Sequence, residues 1–356
     1  EKWEKAFPGT YSYSTVEYLS PKFPMKEENT NDDYYIAGNV CPSTALVKML
    51  ETLPTGTAIM SGDTLVAHHG KHHDNEVQLE EMPLAIKTLP DIFMLNEQAL
   101  ADDYRTLTAG RTSQPLSPTC TLIGSPTLPD GTPAIFIEEG ATVEGAMLNV
   151  SHGPIYIGAC AEIMEGSCVR GPLALCEHSY INMGTKVYGA TTIGPYCKVG
   201  GELNNVVMIG YSNKAHDGFL GNAVIGEWCN LGANCVASNL KNDYSEIKLW
   251  NYPAHRFLRT GLQFCGLIMG DHTKAGINTM FNTATVVGVG CNIHGSGFPR
   301  NFVASFSEGG AAGFSDVSLS KFFDIARRVM ARRHVELTDT DIEIFNSIYS
   351  IAETYK

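Results

Sequence analysis

The sequence predicts an α/β domain followed by a parallel β-helix of hexapeptide repeats and a closing set of C-terminal helices. Three observations carry this. Residues 157–199 place a large aliphatic side chain at every sixth position, residues 1–118 lack that period and alternate strand-like with helix-like segments, and residues 318–356 return to helical spacing. The expected boundaries are therefore 1–118, 119–317 and 318–356.

The repeat is the strongest signal. Ile157, Ile163, Val169, Leu175, Ile181, Val187, Ile193 and Val199 stand at a strict period of six. In a chain about half apolar, eight such residues in a preset phase arise by chance with a probability on the order of 10⁻³. A period of six is neither helical nor simply alternating. It fits a coil of three hexapeptides, each giving one short strand and a turn, with the aliphatic residues stacked inside. Four residues after each comes a mostly small side chain (Ala161, Ser167, Ser179, Thr185, Thr191, Cys197), as a tight corner requires; Leu173 and Leu203 are exceptions. The rhythm returns at Ile225 and Leu231, again at Met269, Ala275, Phe281, Val287 and Ile293, and is foreshadowed by Ile137 and Val143. Two stretches between these tracts, "NNVVMIGYSNKAHDGFLG" and "SNLKNDYSEIKLWNYPAHRFLRT", read as excursions from the solenoid, where binding residues are expected.

In the first domain, "YYIAGNV", "CPSTALVKMLETLP" and "TGTAIMSGDTLVAHH" read as strand, capped helix and strand, and "LNEQALADDYRTL" as a second helix with Asn96 as its N-cap. Beyond Ser318, "SLSKFFDIARRVMARR" and "TDTDIEIFNSIYSIAETY" have helical spacing, the second with Thr338 or Asp339 as cap. Such a tail closes the end of a solenoid.

Composition narrows the function classes. The 356 residues are 44% hydrophobic, enough for a sizeable core, and the formal charge of −13 argues against nonspecific nucleic-acid binding, which depends on Lys and Arg neutralising phosphates. No apolar run reaches the roughly 18 residues of a membrane span, and the charged opening "EKWEKAFPGT" has no signal-peptide core, so a cytoplasmic chain is expected. Its start at Glu1 rather than Met leaves room for a segment upstream. The ten cysteines form no C-x-x-C pair and read as reduced, small core residues.

The hexapeptide tracts together with "NKAHDGFLGNAVIGEWCNLGANCVASN" resemble the left-handed β-helix acyltransferases. The nearest likeness is to the acetyltransferase half of the bifunctional N-acetylglucosamine-1-phosphate uridyltransferase/glucosamine-1-phosphate acetyltransferases. Left-handedness is implied by the resemblance alone, since strand twist by itself favours right-handed crossovers. The resemblance covers residues 135–300 well and implies that the first domain is like a sugar nucleotidyltransferase. It further implies acetyl-CoA as co-substrate and a homotrimer with acyl-donor sites between neighbouring solenoids. The family's "KAGHxxYLG" aligns with Lys214, Ala215, His216, Phe219, Leu220 and Gly221, with one residue fewer here, which puts His216 at the family's catalytic base. Asn230 in "NLGAN", the following Ala233 and Asn239 in "SNL" match further site positions. This sequence departs at Asn182, where the family has an arginine for a sugar phosphate, at the glycines of "KVGGEL", near an expected lysine, and at Phe219 in place of tyrosine. The family's glycine-rich phosphate loop is absent from residues 1–118, so nucleotidyl transfer, and the Mg²⁺ it uses, is not expected of the chain as it stands.

The residues support competing readings. His216 serves as general base or is a solvated loop histidine; Asp217, its neighbour in an extended chain, points the other way and reads as a loop-stabilising carboxylate. Lys214 holds an acidic group of the acceptor or is merely exposed. Asn182, Asn230 and Asn239 position the substrate or satisfy turn backbone. Arg327 and Arg328 form an anion site for coenzyme A or nucleotide phosphates, or a solvated helix face. The cluster His68, His69, His72 and His73 reads as a surface loop rather than a metal site, and the solenoid histidines lack the short H-x₄-H spacing of a β-helix zinc site. The leading expectation is acyl transfer to an amino sugar, sugar phosphate or sugar nucleotide. The alternatives are a sugar-1-phosphate nucleotidyltransferase whose solenoid serves assembly, and a catalytically inactive sugar-nucleotide-binding protein.

Overall fold

The computed structural model describes residues 2–26 and 28–356, which form two compact units. One comprises residues up to Asp91 together with Asp339–Ile344; the other comprises Ile92–Thr338 with Phe345–Lys356.

In the first unit a four-stranded sheet runs in the order Tyr34–Ile36, Thr64–His69, Thr57–Ser61, Asn75–Gln78, with only the last pair parallel. The helix Thr44–Glu51 begins where Ser43 Oγ accepts from Leu46 N (3.2 Å), the capping that "CPST" predicts. Leu46 and Leu50, one turn apart, face Ile59, Val66 and Leu79 in a small core.

The second unit is a parallel β-solenoid. Ile163 pairs with Ile181, Val169 with Val187 and Leu175 with Ile193, so every third hexapeptide stacks and one coil takes eighteen residues. All eight residues of the six-residue period are buried and belong to one continuous core that runs from Ala134 to Val303. Short strands alternate in and out, which explains Leu173: two residues before Leu175 it also points inward, against Ile155. Leu203 has a different cause. It stacks on Val187 because the chain between them is shortened, shifting the phase of the period.

The first of the two expected excursions stays in the solenoid. "NNVVMIGYSNKAHDGFLG" supplies the strands Glu202–Gly210, Asn213–Lys214 and part of Gly218–Glu227, all parallel to their neighbours. The second does leave it: after Ser238 the chain makes the antiparallel hairpin of Lys248–Asn251 and Arg256–Arg259 and returns at Cys265, whose N–H donates to Asn239 O (3.0 Å).

The helix Asn96–Thr108 groups with the solenoid unit rather than with the α/β unit. Asn96 is not its cap; Leu95 takes that place, with no side-chain bond. Asn96 is instead buried against the solenoid, where Nδ2 donates to Ala190 O (2.9 Å) and Oδ1 accepts from Thr192 Oγ1 (2.8 Å). At the far end the hairpin Ser307–Gly310/Gly313–Asp316 and the helix Leu319–Ala331, capped by Ser318, close the stack, with Phe322 edge-on to Phe306 at 5.0 Å. The second C-terminal helix starts at Asp339.

One corner of the solenoid carries a ladder of rings. His178, Tyr196, Tyr211, Trp228 and His272 each lie three residues after an inward aliphatic residue or methionine, each has φ between 53° and 60°, and their rings stack at 4.8, 5.0, 4.2 and 6.0 Å. Beneath it, Ser179, Cys197, Ser212, Cys229, Thr273 and Cys291 alternate hydroxyl and thiol. The three hydroxyls each donate to a carbonyl of the following coil at 2.7 Å. No helix among the described residues is long and apolar enough to cross a membrane.

Candidate functional site

The candidate site lies where the solenoid loses residues. Eighteen residues separate Ile181 from its partner Val199, but only fifteen separate Val199 from Lys214. Much of the loss falls at one corner. The preceding coil takes five steps from Ile181 to Lys186 and the following coil five from Lys214 to Phe219, whereas the chain between them goes from Val199 to Glu202 in three, through Gly200 and Gly201. The corner therefore recedes between two fuller ones, leaving a notch.

His216 stands on the upper edge of this notch. It is exposed, and the constant register of its coil with the next one places it beside Ala233, with Ile277 beyond. Met183 on the lower edge is 72% exposed and Ile277 71%, so the imidazole lies between two exposed apolar side chains of its corner column, with the exposed Glu165 one coil below Met183. Asn182 bridges the recessed coil: its Nδ2 donates to Ala215 O at 2.8 Å, two coils away. One of its two N–H donors is thus used structurally.

Lys214 is neither of the things its charge suggested. It occupies the inward row, stacked on Val199, and is 0% exposed. Its Nζ donates to Gly200 O (3.2 Å), to Asp217 O (3.0 Å) and to His216 O. Three donors meet three carbonyls, so no N–H remains for an acceptor's anionic group. Burial pushes its ammonium down to about 8, with Asp217 and Cys235 opposing the shift.

The other candidates surround the corner. Asn230 is exposed on the face that leads into it, between Asn213 and Lys274 in register. On the face that leaves it, Phe219 and Asn239 both lie over Gly221, where an added Cβ would come within 2.5 Å of Asn239 Nδ2 and 2.7 Å of Phe219 Cζ. Asn239 Nδ2 donates to Asn222 Oδ1 (2.9 Å). Ala233 O accepts from Asn278 N (2.9 Å). Arg327 and Arg328 are exposed on the helix Leu319–Ala331, whose Phe322 packs against His272 on the ring-ladder corner, so they lie across a face from His216 rather than beside it. Arg327 is 3.8 Å from Asp324.

In the first unit, His68 and His69 are strand residues. His68 Nδ1 bonds Gly70 O and its ring stacks on Tyr35; His69 Nδ1 bonds Leu53 O and its ring stacks on Tyr34. Among the described residues no three His, Cys, Asp or Glu side chains gather as a metal site.

A family of sugar nucleotidyl transferases matches over residues 1–112. The bifunctional protein GlmU of Methanocaldococcus jannaschii is 32% identical over 126 residues, 35% of this chain and 28% of that protein. A bifunctional sugar-1-phosphate nucleotidylyltransferase/acetyltransferase of Sulfurisphaera tokodaii is 28% identical over 144 residues, 40% of this chain and 35% of that protein. The chain is similar to sugar nucleotidyl transferases and to bifunctional transferases of the GlmU kind. It spans about a third of the length of those two relatives. Among solved structures, a hexapeptide transferase family protein from Anaplasma phagocytophilum is 16% identical with a TM-score of 0.24, covering 62% of this chain and 93% of its own.

Proposed function

We propose that this protein transfers an acyl group from coenzyme A to an amino sugar, sugar phosphate or sugar nucleotide, with His216 as general base. The observation that carries the proposal is the exposed imidazole on the edge of the recessed corner, within a stretch that resembles an acyltransferase motif but is one residue shorter and has Phe219 in place of tyrosine. The partial likeness to bifunctional nucleotidyl- and acetyltransferases supports the same class of chemistry.

In this reading His216 takes the proton from the acceptor's amine or hydroxyl as that atom attacks the thioester carbonyl. A backbone N–H near Ala233 steadies the oxyanion; the C–S bond then breaks and the departing thiolate takes up a proton. Asn230 and Asn239 orient the acceptor from the two faces flanking the corner, and Asn182 shapes the floor. Acetyl-CoA is the donor, and Arg327 and Arg328 are assigned to its phosphates. Because those arginines lie across a face from His216, the assignment goes with a homotrimer, in which a neighbouring copy brings its own surface to the groove.

A second reading is favoured by one observation, the match of residues 1–112 to sugar nucleotidyl transferases. It makes the chain a Mg²⁺-dependent sugar-1-phosphate nucleotidyltransferase with the solenoid serving assembly. The deciding experiment offers acetyl-CoA with glucosamine, glucosamine 1-phosphate or a UDP-linked amino sugar and measures thiol release, beside pyrophosphate release from UTP and a sugar 1-phosphate with Mg²⁺. Thiol release that depends on His216 is expected. Pyrophosphate release alone establishes the second reading, and neither product leaves a binding role.

A further inference from the structure

The small residues at the corner where His216 sits form a column of register partners: Ser167, Thr185, Gly201, Gly218, Cys235, Thr279. At both ends of the column a side chain satisfies the corner carbonyl. Ser167 Oγ (3.0 Å) and Thr185 Oγ1 (2.5 Å) donate to Asn182 O, and Cys235 Sγ (3.0 Å) and Thr279 Oγ1 (2.8 Å) donate to Gly276 O. The two glycines in the middle have no side chain with which to do this, and none fits. At Gly201 a Cβ would meet Gly218 O at 2.8 Å, and at Gly218 it would meet Cys235 O at 2.0 Å; their φ values are +76° and +128°. A hydroxyl-bearing side chain therefore has no room at either position.

Lys214 takes over that task from the inward row. Its ammonium reaches the carbonyl of the recessed corner, at Gly200, and two carbonyls of the corner above it, at His216 and Asp217. An aliphatic residue at this position would take the side-chain donor away from Gly200 O and His216 O, whereas Asp217 O would still accept from Asn234 N (2.9 Å). A loosened corner moves His216 first, because the carbonyl held by Nζ is the histidine's own.

We propose that Lys214 is the positioning residue of the site: it staples the recessed corner to the corner that carries His216 and so fixes the direction of the imidazole. The proposal rests on the reading of His216 as general base, but the staple itself is testable without substrate. The titratable groups that face Lys214 are Asp217 and Cys235.

The test compares the parent protein with Lys214→Met, which keeps most of the side-chain volume and removes the donors. Amide hydrogen exchange is read at residues 215–218, with 276–279, the corner closed by Thr279, as internal control. Exchange at 215–218 is expected to quicken at least tenfold and to stay unchanged at 276–279. With whichever acceptor the parent acylates, kcat should fall at least tenfold while KM for acetyl-CoA stays within threefold. Unchanged exchange overturns the staple, and faster exchange with full turnover overturns the positioning role. If no acceptor is acylated by the parent, the proposed function fails, and faster exchange at 215–218 still establishes the staple. If Lys214→Met does not fold, Lys214→Leu, the residue type of the same inward row at Leu231, is read at the same amides. Faster exchange confined to 215–218 supports the proposal, and exchange parallel to that of 276–279 overturns it.

Discussion

Two corners run along opposite edges of one solenoid face and are built from different materials. At the ring-ladder corner five successive coils repeat the same solution: a ring stacked above, a hydroxyl or thiol beneath, and the C-terminal helix packed over the end at His272. At the other corner the solution changes midway, from hydroxyls to glycines and a buried ammonium, and there an exposed histidine stands. A regular corner only has to hold; the corner that departs from regularity is the one to which the proposed function gives a second task.

The comparison breaks most sharply through His216→Ala. Acyl-transfer kcat should fall roughly 10²–10⁴-fold with donor KM nearly unchanged, because the proton moves only in the transition state. The melting temperature should not move, since the side chain is exposed and outside the stack. Steady-state kinetics beside a thermal melt checks both; full turnover would return the corner to the status of scaffold.

Next comes Gly218→Ala, which should cost about 3 kcal/mol or more, given the left-handed φ and the carbonyl in its way. Denaturant titration measures it. A neutral result would mean that the coils are not in the close contact described.

The third effect is on pH. The folded-state pKa of Lys214 lies at about 8, below its ordinary value near 10.5, so between the two the unfolded chain binds more protons and stability rises with pH. Lys274, also pushed down to about 8 by burial, acts in the same direction. Denaturation midpoints should therefore increase from pH 8 towards 10.5, and Lys214→Met should show a smaller increase than the parent. Equal slopes would place the ammonium in contact with water.

The smallest effect belongs to the regular corner. Ser179→Ala removes a hydroxyl that donates to Gly194 O at 2.7 Å and accepts from Cys197 N at 3.2 Å, and should cost about 1–2 kcal/mol with kcat unaltered. A loss of turnover there would mean that the two corners are coupled.

Much of the solenoid was legible because its core obeys one rule. Ile157 through Val199 keep their phase, and each lies inside. Legibility failed where the rule was kept in space but not in sequence. The shortening at Gly200 and Gly201 shifts the phase, so that Leu203 looked like an exception and residues 204–221 like an excursion, although both continue the stack. Lys214 was misplaced because a lysine in a polar stretch reads as exposed; nothing local reveals that Gly201 and Gly218, on neighbouring coils, have no hydroxyl to meet the corner carbonyls. Asn96 had the composition of a cap but a tertiary partner instead. The ring ladder was missed although its signal was present: His178, Tyr196, Trp228 and His272 follow Leu175, Ile193, Ile225 and Met269 by three residues. His216 was singled out by its motif, and its exposure on the edge of the recessed corner is what the motif by itself did not give.

The ring ladder also makes the short coil optically visible. Tyr196 precedes that coil, Tyr211 lies within it and Trp228 follows, with Tyr211 and Trp228 stacked at 4.2 Å and nearly parallel. Chromophores at such spacing couple, so light absorbed by the tyrosines reaches the indole and the stacked rings share a circular-dichroism band in the near ultraviolet. Opening of the coil that holds up His216 would separate them. The other two tryptophans, Trp3 and Trp250, lie elsewhere, the first donating to Val40 O and the second stacked on Phe302. Replacing both by phenylalanine would leave Trp228 as the lone indole emitter, a built-in reporter of the short coil.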